Sequence, residues 1–367
     1  MTAPNELPLR QLGRNGPFVP RLGLGLMSLS GVYNEPLSEP DHFAFLDEAY
    51  KQGETFWDTG RPNPSREQSK CNTYTCTNGI SAADKYGTSE EVLGRWFAVN
   101  PDKREHVFLS TKFGIRAVAP GKDAPVLTVD STPEYCREAI ESSLRRLNLP
   151  YVDIYYIHRL DQVTPIEKTI EAMVELKNAG KIKHLGLSEC SAESLRRAHA
   201  VHPITAVQVE YSLFCRDIES PEIRLLETAR ELGVTIVCYS PLGNGLLTNT
   251  IHAKVGEKPE GSRGYLPWLK EENLEQNAAV IKKIHTIAAS KNVSSAQLAL
   301  AWLLAQGDDI FPIPGTIKAH RVAENLESVH VSISADEEKA LREIAGGIVG
   351  GRFQAMTGYV FADTPEL

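Results

Sequence analysis

Eight short apolar runs recur along this chain, and helical patterns follow most of them. The runs lie at 22–26, 55–58, 107–111, 152–157, 184–187, 206–209, 234–239 and 310–313. Strands that alternate with helices pair in parallel, because each helix carries the chain back to the starting edge of the sheet. Eight such units in 367 residues predict an α/β chain folded as a (β/α)8 TIM barrel. A doubly wound sheet is the alternative architecture. Residues 8–22, "PLRQLGRNGPFVPRL", precede the first strand and read as an N-terminal hairpin closing the barrel floor. No internal repeat or low-complexity linker divides the chain, so residues 1–367 read as one domain.

Helix starts support the alternation. Thr132-Pro133 precedes "EYCREAIESSLRRLNL", whose Ala139, Ile140, Leu144 and Leu147 share one face. Thr164-Pro165 precedes "IEKTIEAMVELKNAG", with Gly180 as the stop. A hydroxyl N-cap followed by proline is the expected start chemistry. The segment 294–307, "SSAQLALAWLLAQG", is apolar nearly all round and predicts a buried helix. Thr88-Ser-Glu-Glu91 has the spacing of a capping box.

Charge and cysteine content narrow the function. A net charge of −8 argues against a nucleic-acid surface. No apolar run reaches the roughly 18 residues a membrane span needs, and "MTAPNELPLR" lacks the apolar core of a signal peptide. Cysteines 71, 76, 136, 190, 215 and 238 form no CxxC pair and no zinc-like spacing. They read as reduced thiols of a cytoplasmic protein, with no metal site.

In a barrel, chemistry sits at the carboxyl ends of the strands. The residues there are Asp58, Lys112, His158, Ser188-Glu189, Gln208, Tyr239-Ser240-Pro241-Leu242 and Pro314-Gly315-Thr316. Each alone has a bland reading: a turn aspartate, a solvated lysine, a packed histidine. Seven polar strand ends in succession are unusual for a purely structural protein. Asp, Lys, His and a tyrosine also make chemical sense together. A phenol with a pKa of about 10 exchanges protons poorly at neutral pH, and a close ammonium lowers that value. A carboxylate holds the ammonium, and a histidine orients a carbonyl oxygen. Such a group protonates a carbonyl as hydride arrives, and the hydride must come from a cofactor.

These residues resemble those of the aldo-keto reductases, with the opening "LGLGLM" and the eighth-strand "PIPGT" typical of fungal, plant and bacterial NADPH-dependent members. The resemblance runs from Pro8 to the closing "FADTPEL". It implies a (β/α)8 barrel, NADPH as cofactor, and reduction of an aldehyde or ketone to an alcohol, an alcohol dehydrogenase-type activity. It implies a catalytic set of Asp58, Tyr86, Lys112 and His158, with Tyr86 as general acid and His158 also facing substrate. The family's Thr-Lys is Thr111-Lys112, and its His-Arg-x-Asp is His158-Arg159-Leu160-Asp161.

The same resemblance assigns cofactor contacts, Asp58 among them. Ser188 and Gln208 match the carboxamide partners, and Tyr239 matches the ring that stacks on the nicotinamide. Ser240, Leu242, Gly243 and Gly245 match the pyrophosphate loop. Lys318 and Arg321 match the 2′-phosphate site, and Glu324 and Asn325 the adenine contacts. Two positions depart from many relatives: Glu189 stands where asparagine is common, and Ile317 precedes Lys318 where lysine is common.

The family places its aspartate and tyrosine five residues apart, as Asp-Thr-Ala-x-x-Tyr. Here Asp58 and Tyr86 are 28 apart, separated by a polar tract without periodicity. Without residues 60–82 the text reads "FWDTADKYGTSEE" and the family spacing returns. The tract is 23 residues, a whole number of codons and the length of a short intron. It reads as a translated, unspliced intron or as an atypical loop insertion after strand 2. Lengthening a flexible connection from about 5 to 28 residues costs roughly 1.5 kcal/mol of closure entropy, so the fold should survive it.

Competing readings are limited. "GLGLMS" and "GNGLLT" carry Ser28 and Thr248 where a dinucleotide fingerprint needs glycine. An NADPH-binding redox-sensing or scaffold subunit without efficient turnover is the alternative function. The substrate is a small aldehyde or ketone, with aryl aldehydes, pyridoxal and a secondary-metabolite carbonyl as candidates. Tyr265 and Trp268, in "GSRGYLPWLKEENL", are candidate substrate contacts, with a packed loop as the plain reading.

Overall fold

A computed structural model describes residues 7–30, 37–60, 88–118, 126–248, 266–352 and 358–367. The chain begins with strands β1 (Leu9–Gln11), β2 (Phe18–Pro20) and β3 (Leu24–Gly25), helix α1 (Glu39–Lys51), strand β4 (Phe56–Asp58) and helix α2 (Ser89–Val99). It continues with β5 (Phe108–Phe113), β6 (Ile115–Val118), β7 (Val126–Val129), α3 (Pro133–Leu147), β8 (Val152–Ile157), α4 (Ile166–Asn178), β9 (Ile182–Ser188) and α5 (Ala192–Val201). The last third holds β10 (Ala206–Glu210), α6 (Leu225–Leu232), β11 (Thr235–Tyr239), α7 (Glu271–Ser290), α8 (Ser295–Ala305), β12 (Ile310–Pro312), α9 (Ala319–Leu326) and α10 (Ala335–Ala345). Each of the eight apolar runs contributes one strand: β3, β4, β5, β8, β9, β10, β11 and β12. The antiparallel pair β6–β7 was not legible in the periodicity.

The described residues fall into two compact units, one drawn from 26–46, 57–205 and 359–367, the other from 1–25, 47–56 and 206–358. In the first, β5 pairs in parallel with β8, and β8 with β9, so Lys112 stands opposite Tyr156 and Tyr156 opposite Gly186. Thr59 N–H donates to the Ser110 carbonyl at 3.0 Å, which ties the end of β4 to β5. Trp57 packs on Trp96 and Phe97 of α2, with ring centroids 5.0 and 6.1 Å apart. Trp57, Trp96 and Leu93 are fully buried, and each such side chain contributes about 1.5–3 kcal/mol.

In the second unit β10, β11 and β12 pair in parallel, with Gln208 opposite Val237 and Glu210 opposite Tyr239. Gly23 and Gly25 donate to the carbonyls of Pro312 and Pro314, which sets β3 beside β12. The expected hairpin forms between β1 and β2. Its turn is tied to the start of β11, where Gly13 N–H donates to Thr235 Oγ1 at 2.7 Å. Helix α8 is buried on nearly every face, as its composition requires.

Two helix starts differ from the sequence reading. Thr132 caps α3 by accepting from Tyr135 N–H at 3.3 Å, as expected. Thr164 does not cap α4: Pro165 takes the N-cap position, the Thr164 hydroxyl donates to Asp161, and Thr364 Oγ1 accepts the Ile166 N–H. The capping box at Thr88 also fails to form, since Thr88 makes no side-chain cap bond. Its partner Glu91 lies 3.8 Å from Arg146 Nε, and the two residues between are engaged as well: Ser89 Oγ meets Thr59 Oγ1 at 2.6 Å, and Glu90 takes Arg146 and Thr111. Buried charge-assisted bonds are stronger than an exposed cap, so tertiary contacts won.

Candidate active site

Asp58 ends β4, and Lys112 is the fifth residue of β5 rather than a residue beyond it. The Lys112 ammonium donates to Asp58 Oδ1 at 2.5 Å and to the Thr59 carbonyl at 2.7 Å. The other carboxylate oxygen accepts from Ser110 Oγ at 2.5 Å. Lys112 and Asp58 are 1 and 2 % exposed. Both charges are therefore paired and hydrogen-bonded, the condition for burying an ion pair. Ser110 lies two residues before Lys112, so strand alternation places it on the same face. That period was the signal by which the sequence could have marked it.

Tyr156 stands beside Lys112 in the register. It is fully buried, its hydroxyl has no hydrogen-bond partner among the described residues, and its ring fills the space a Cβ would take at Gly186, 2.4 Å away. Burial, and then the charge of Asp58, push this phenol well above its usual value, so it holds its proton at neutral pH. His158 follows β8 and is half-buried, with its N–H on the Phe113 carbonyl at 2.6 Å. Arg159 Nη1 bonds the His158 carbonyl at 2.6 Å and Ser188 Oγ at 3.1 Å. Ser188 and Glu189 are buried at the end of β9, and Glu189 adopts φ +53°.

Asp161 completes the His-Arg-x-Asp run. Burial opposes its charge, but N–H donors from Thr164, Val163 and Ser131 and the Thr164 hydroxyl outweigh that and hold it below the usual carboxylate range. Its role is to shape the turn after His158.

The second unit carries the remaining residues. Gln208 is the middle residue of β10 and is 3 % exposed. After Tyr239 the backbone takes positive φ at Ser240, Gly243, Asn244 and Gly245 (50, 57, 54 and 97°). Successive turns of this kind expose N–H groups in a concavity suited to anions. Gly243 is also closely packed, with the Phe214 ring 3.1 Å from where a Cβ would stand. Leu242 lies within this turn and is half-buried. Lys318 is the N-cap of α9, and Arg321, Glu324 and Asn325 follow on that helix. Among the described residues, Lys318 and Arg321 make no side-chain ion pair. Arg352, which sequence reading passed over, bonds Tyr239 and Glu210.

Tyr86, Tyr265 and residues 61–82 of the inserted tract lie outside the described residues. Trp268 is 0 % exposed and offers no surface to a substrate. It is a packed residue of the loop before α7, whose carbonyl accepts from Asn277 at 2.8 Å. The described cysteines, 136, 190, 215 and 238, are buried thiols, and burial raises those of Cys136, Cys190 and Cys238. Among the described residues there is no cluster fit to hold a metal ion, and no helix is long and apolar enough to cross a membrane.

Parallel strands each followed by a helix define an α/β fold of the (β/α)8 class. Comparison narrows the class. The Aldo/keto reductase family model matches residues 21–345, and the chain belongs to that family. It is 40 % identical over 368 residues to aldo-keto reductase str7 of Strobilurus tenacellus, covering 98 % of this chain and 99 % of that one. It is 39 % identical over 366 residues to aldo-keto reductase yakc [NADP(+)] of Schizosaccharomyces pombe, covering 99 % of each. Among solved structures, a glycerol dehydrogenase from Gluconobacter oxydans matches with a TM-score of 0.75 at 24 % identity over 98 % of each chain, a likeness of fold. A thermostable aldo-keto reductase, Tm1743, solved with the inhibitor epalrestat, matches with a TM-score of 0.67 at 26 % identity over 92 % of this chain and 100 % of that one.

Proposed function

We propose that this protein is an NADPH-dependent carbonyl reductase that converts an aldehyde or ketone to an alcohol, acting in the cytoplasm on a small molecule. The observation that carries the reading is the buried Lys112–Asp58 pair at 2.5 Å. A fully desolvated ammonium at a strand end, held by a carboxylate and a carbonyl, is arranged to stabilise an adjacent anion such as a phenolate. Tyr86 is the phenol for that role, His158 orients the carbonyl oxygen, and Asp58 keeps Lys112 charged and in place.

The residues present fit the cofactor. The positive-φ turn at 240–245 would hold the pyrophosphate, and Ser188 and Gln208 the carboxamide. Tyr239 would support the ring, and Glu324 and Asn325 would contact the adenine. Lys318 and Arg321, free of ion pairs among the described residues, would take the 2′-phosphate by charge-assisted bonds. When bound, NADPH supplies the hydride. The protein's part is to exclude water around Lys112, hold the phenol's proton ready, and deliver it to the carbonyl oxygen. The buried thiols fit a reducing compartment.

The test is consumption of NADPH on addition of test aldehydes, by the full chain and by a chain lacking residues 60–82. Carbonyl-dependent turnover by either supports the enzyme. NADPH binding without turnover in both would leave a redox-sensing or scaffold subunit instead.

A further inference from the structure

Arg352 lies on the stretch that follows α10 and reaches back over the ends of β10 and β11. Its Nε donates to Glu210 Oε2 at 3.0 Å, and its Nη2 donates to the Tyr239 hydroxyl oxygen at 3.0 Å. Glu210 and Tyr239 are themselves opposed in the strand register. The Arg352 and Glu210 side chains are 11 and 7 % exposed, while Asp217, 4.0 Å from Nη1, is 46 % exposed.

The backbone that delivers Arg352 is held in place. Asn277 of α7 donates to the Val349 carbonyl at 2.8 Å and accepts the Val349 N–H at 2.9 Å. Gly350 has φ +119°, and a Cβ there would stand 2.6 Å from the Pro267 carbonyl carbon. Only glycine makes this turn without strain.

A buried ion pair is a weak stabilising device, since hydrocarbon of the same shape often does as well. The arm to Tyr239 is what a purely structural pair would not need. We propose that Arg352 is a positioning residue that fixes the Tyr239 ring against the nicotinamide. Glu210 balances its charge so that the reduced and oxidised cofactors are held evenly. The inference rests on the assignment of Tyr239 to the nicotinamide face. The oxidised ring carries one positive charge more than the reduced ring. An unbalanced guanidinium beside its platform would therefore disfavour NADP+.

The test titrates NADPH and NADP+ separately into the full chain and its variants, following cofactor and tryptophan fluorescence. Arg352→Met is expected to weaken NADPH about fivefold, and Tyr239→Phe to reproduce that loss by removing the same hydrogen bond. In the Tyr239→Phe background, Arg352→Met should add less than about twofold, because coupled residues are not additive. Glu210→Gln should shift the balance toward NADPH over NADP+ by about fivefold. Arg352→Lys, which keeps the charge, serves if Arg352→Met fails to fold, and should lose part of the affinity. Equal effects of Arg352 substitution in both Tyr239 backgrounds, or no shift with Glu210→Gln, would overturn the proposal. If the unaltered chain bound no NADPH, the functional reading itself would fall and this inference with it. If it bound NADPH and Tyr239→Ala weakened it while Arg352 variants did not, only this inference would fall.

Discussion

Lys112 Nζ lies 2.5 Å from Asp58 Oδ1, and both side chains are sealed from solvent. Neither charge has water to fall back on. Lys112→Met should therefore destabilise the protein by about 3–5 kcal/mol, because it leaves Asp58 buried and uncompensated. Asp58→Asn should cost a comparable amount. The double substitution should cost clearly less than the sum of the two. Denaturant unfolding at neutral pH measures all three, and additive losses would show that the pair is not coupled.

Lys318 and Arg321 should decide cofactor choice. Replacing both with alanine should reduce NADPH affinity by about tenfold or more, as loss of charge-assisted bonds implies. NADH affinity should change little, since it lacks the 2′-phosphate. Equal losses for the two cofactors would remove these residues from that site.

Tyr86→Phe should nearly abolish carbonyl reduction and leave NADPH binding close to unchanged. The phenyl ring keeps the shape and loses only the proton. Tyr74 lies in the inserted tract, and Tyr74→Phe should be close to silent. A damaging Tyr74→Phe would show that the wrong tyrosine had been identified.

Removing residues 60–82 should restore the family spacing between Asp58 and Tyr86. The shortened protein is expected to reduce test aldehydes at least about tenfold faster than the full chain, because a catalytic group displaced by about 1 Å loses on the order of 100-fold. Melting curves with NADPH should be similar, since a longer loop costs little stability. Transcripts should read from Thr59 directly to Ala83. A full chain that is the more active of the two, with a transcript retaining the tract, would make the insertion a working loop.

Local pattern determined the strands. Apolar runs bounded by polar residues need only a strand's own periodicity, and all eight were legible before any contact was known. So were the hairpin at 8–22, the Thr132 cap and the buried α8, each set by neighbours in sequence. Asp58, Lys112 and His158 were marked by chemistry at strand ends. Their roles came from resemblance, and only the fold shows that Asp58 and Lys112 touch. What tertiary structure alone decided involves residues distant in sequence. Glu91, the expected cap partner of Thr88, instead lies 3.8 Å from Arg146 on a different helix. Thr164 yielded the start of α4 to Thr364 from the far end of the chain. Arg352 reached Glu210 and Tyr239 across more than a hundred residues. A buried charge takes whichever partner the packing offers, and packing is not written in any local stretch.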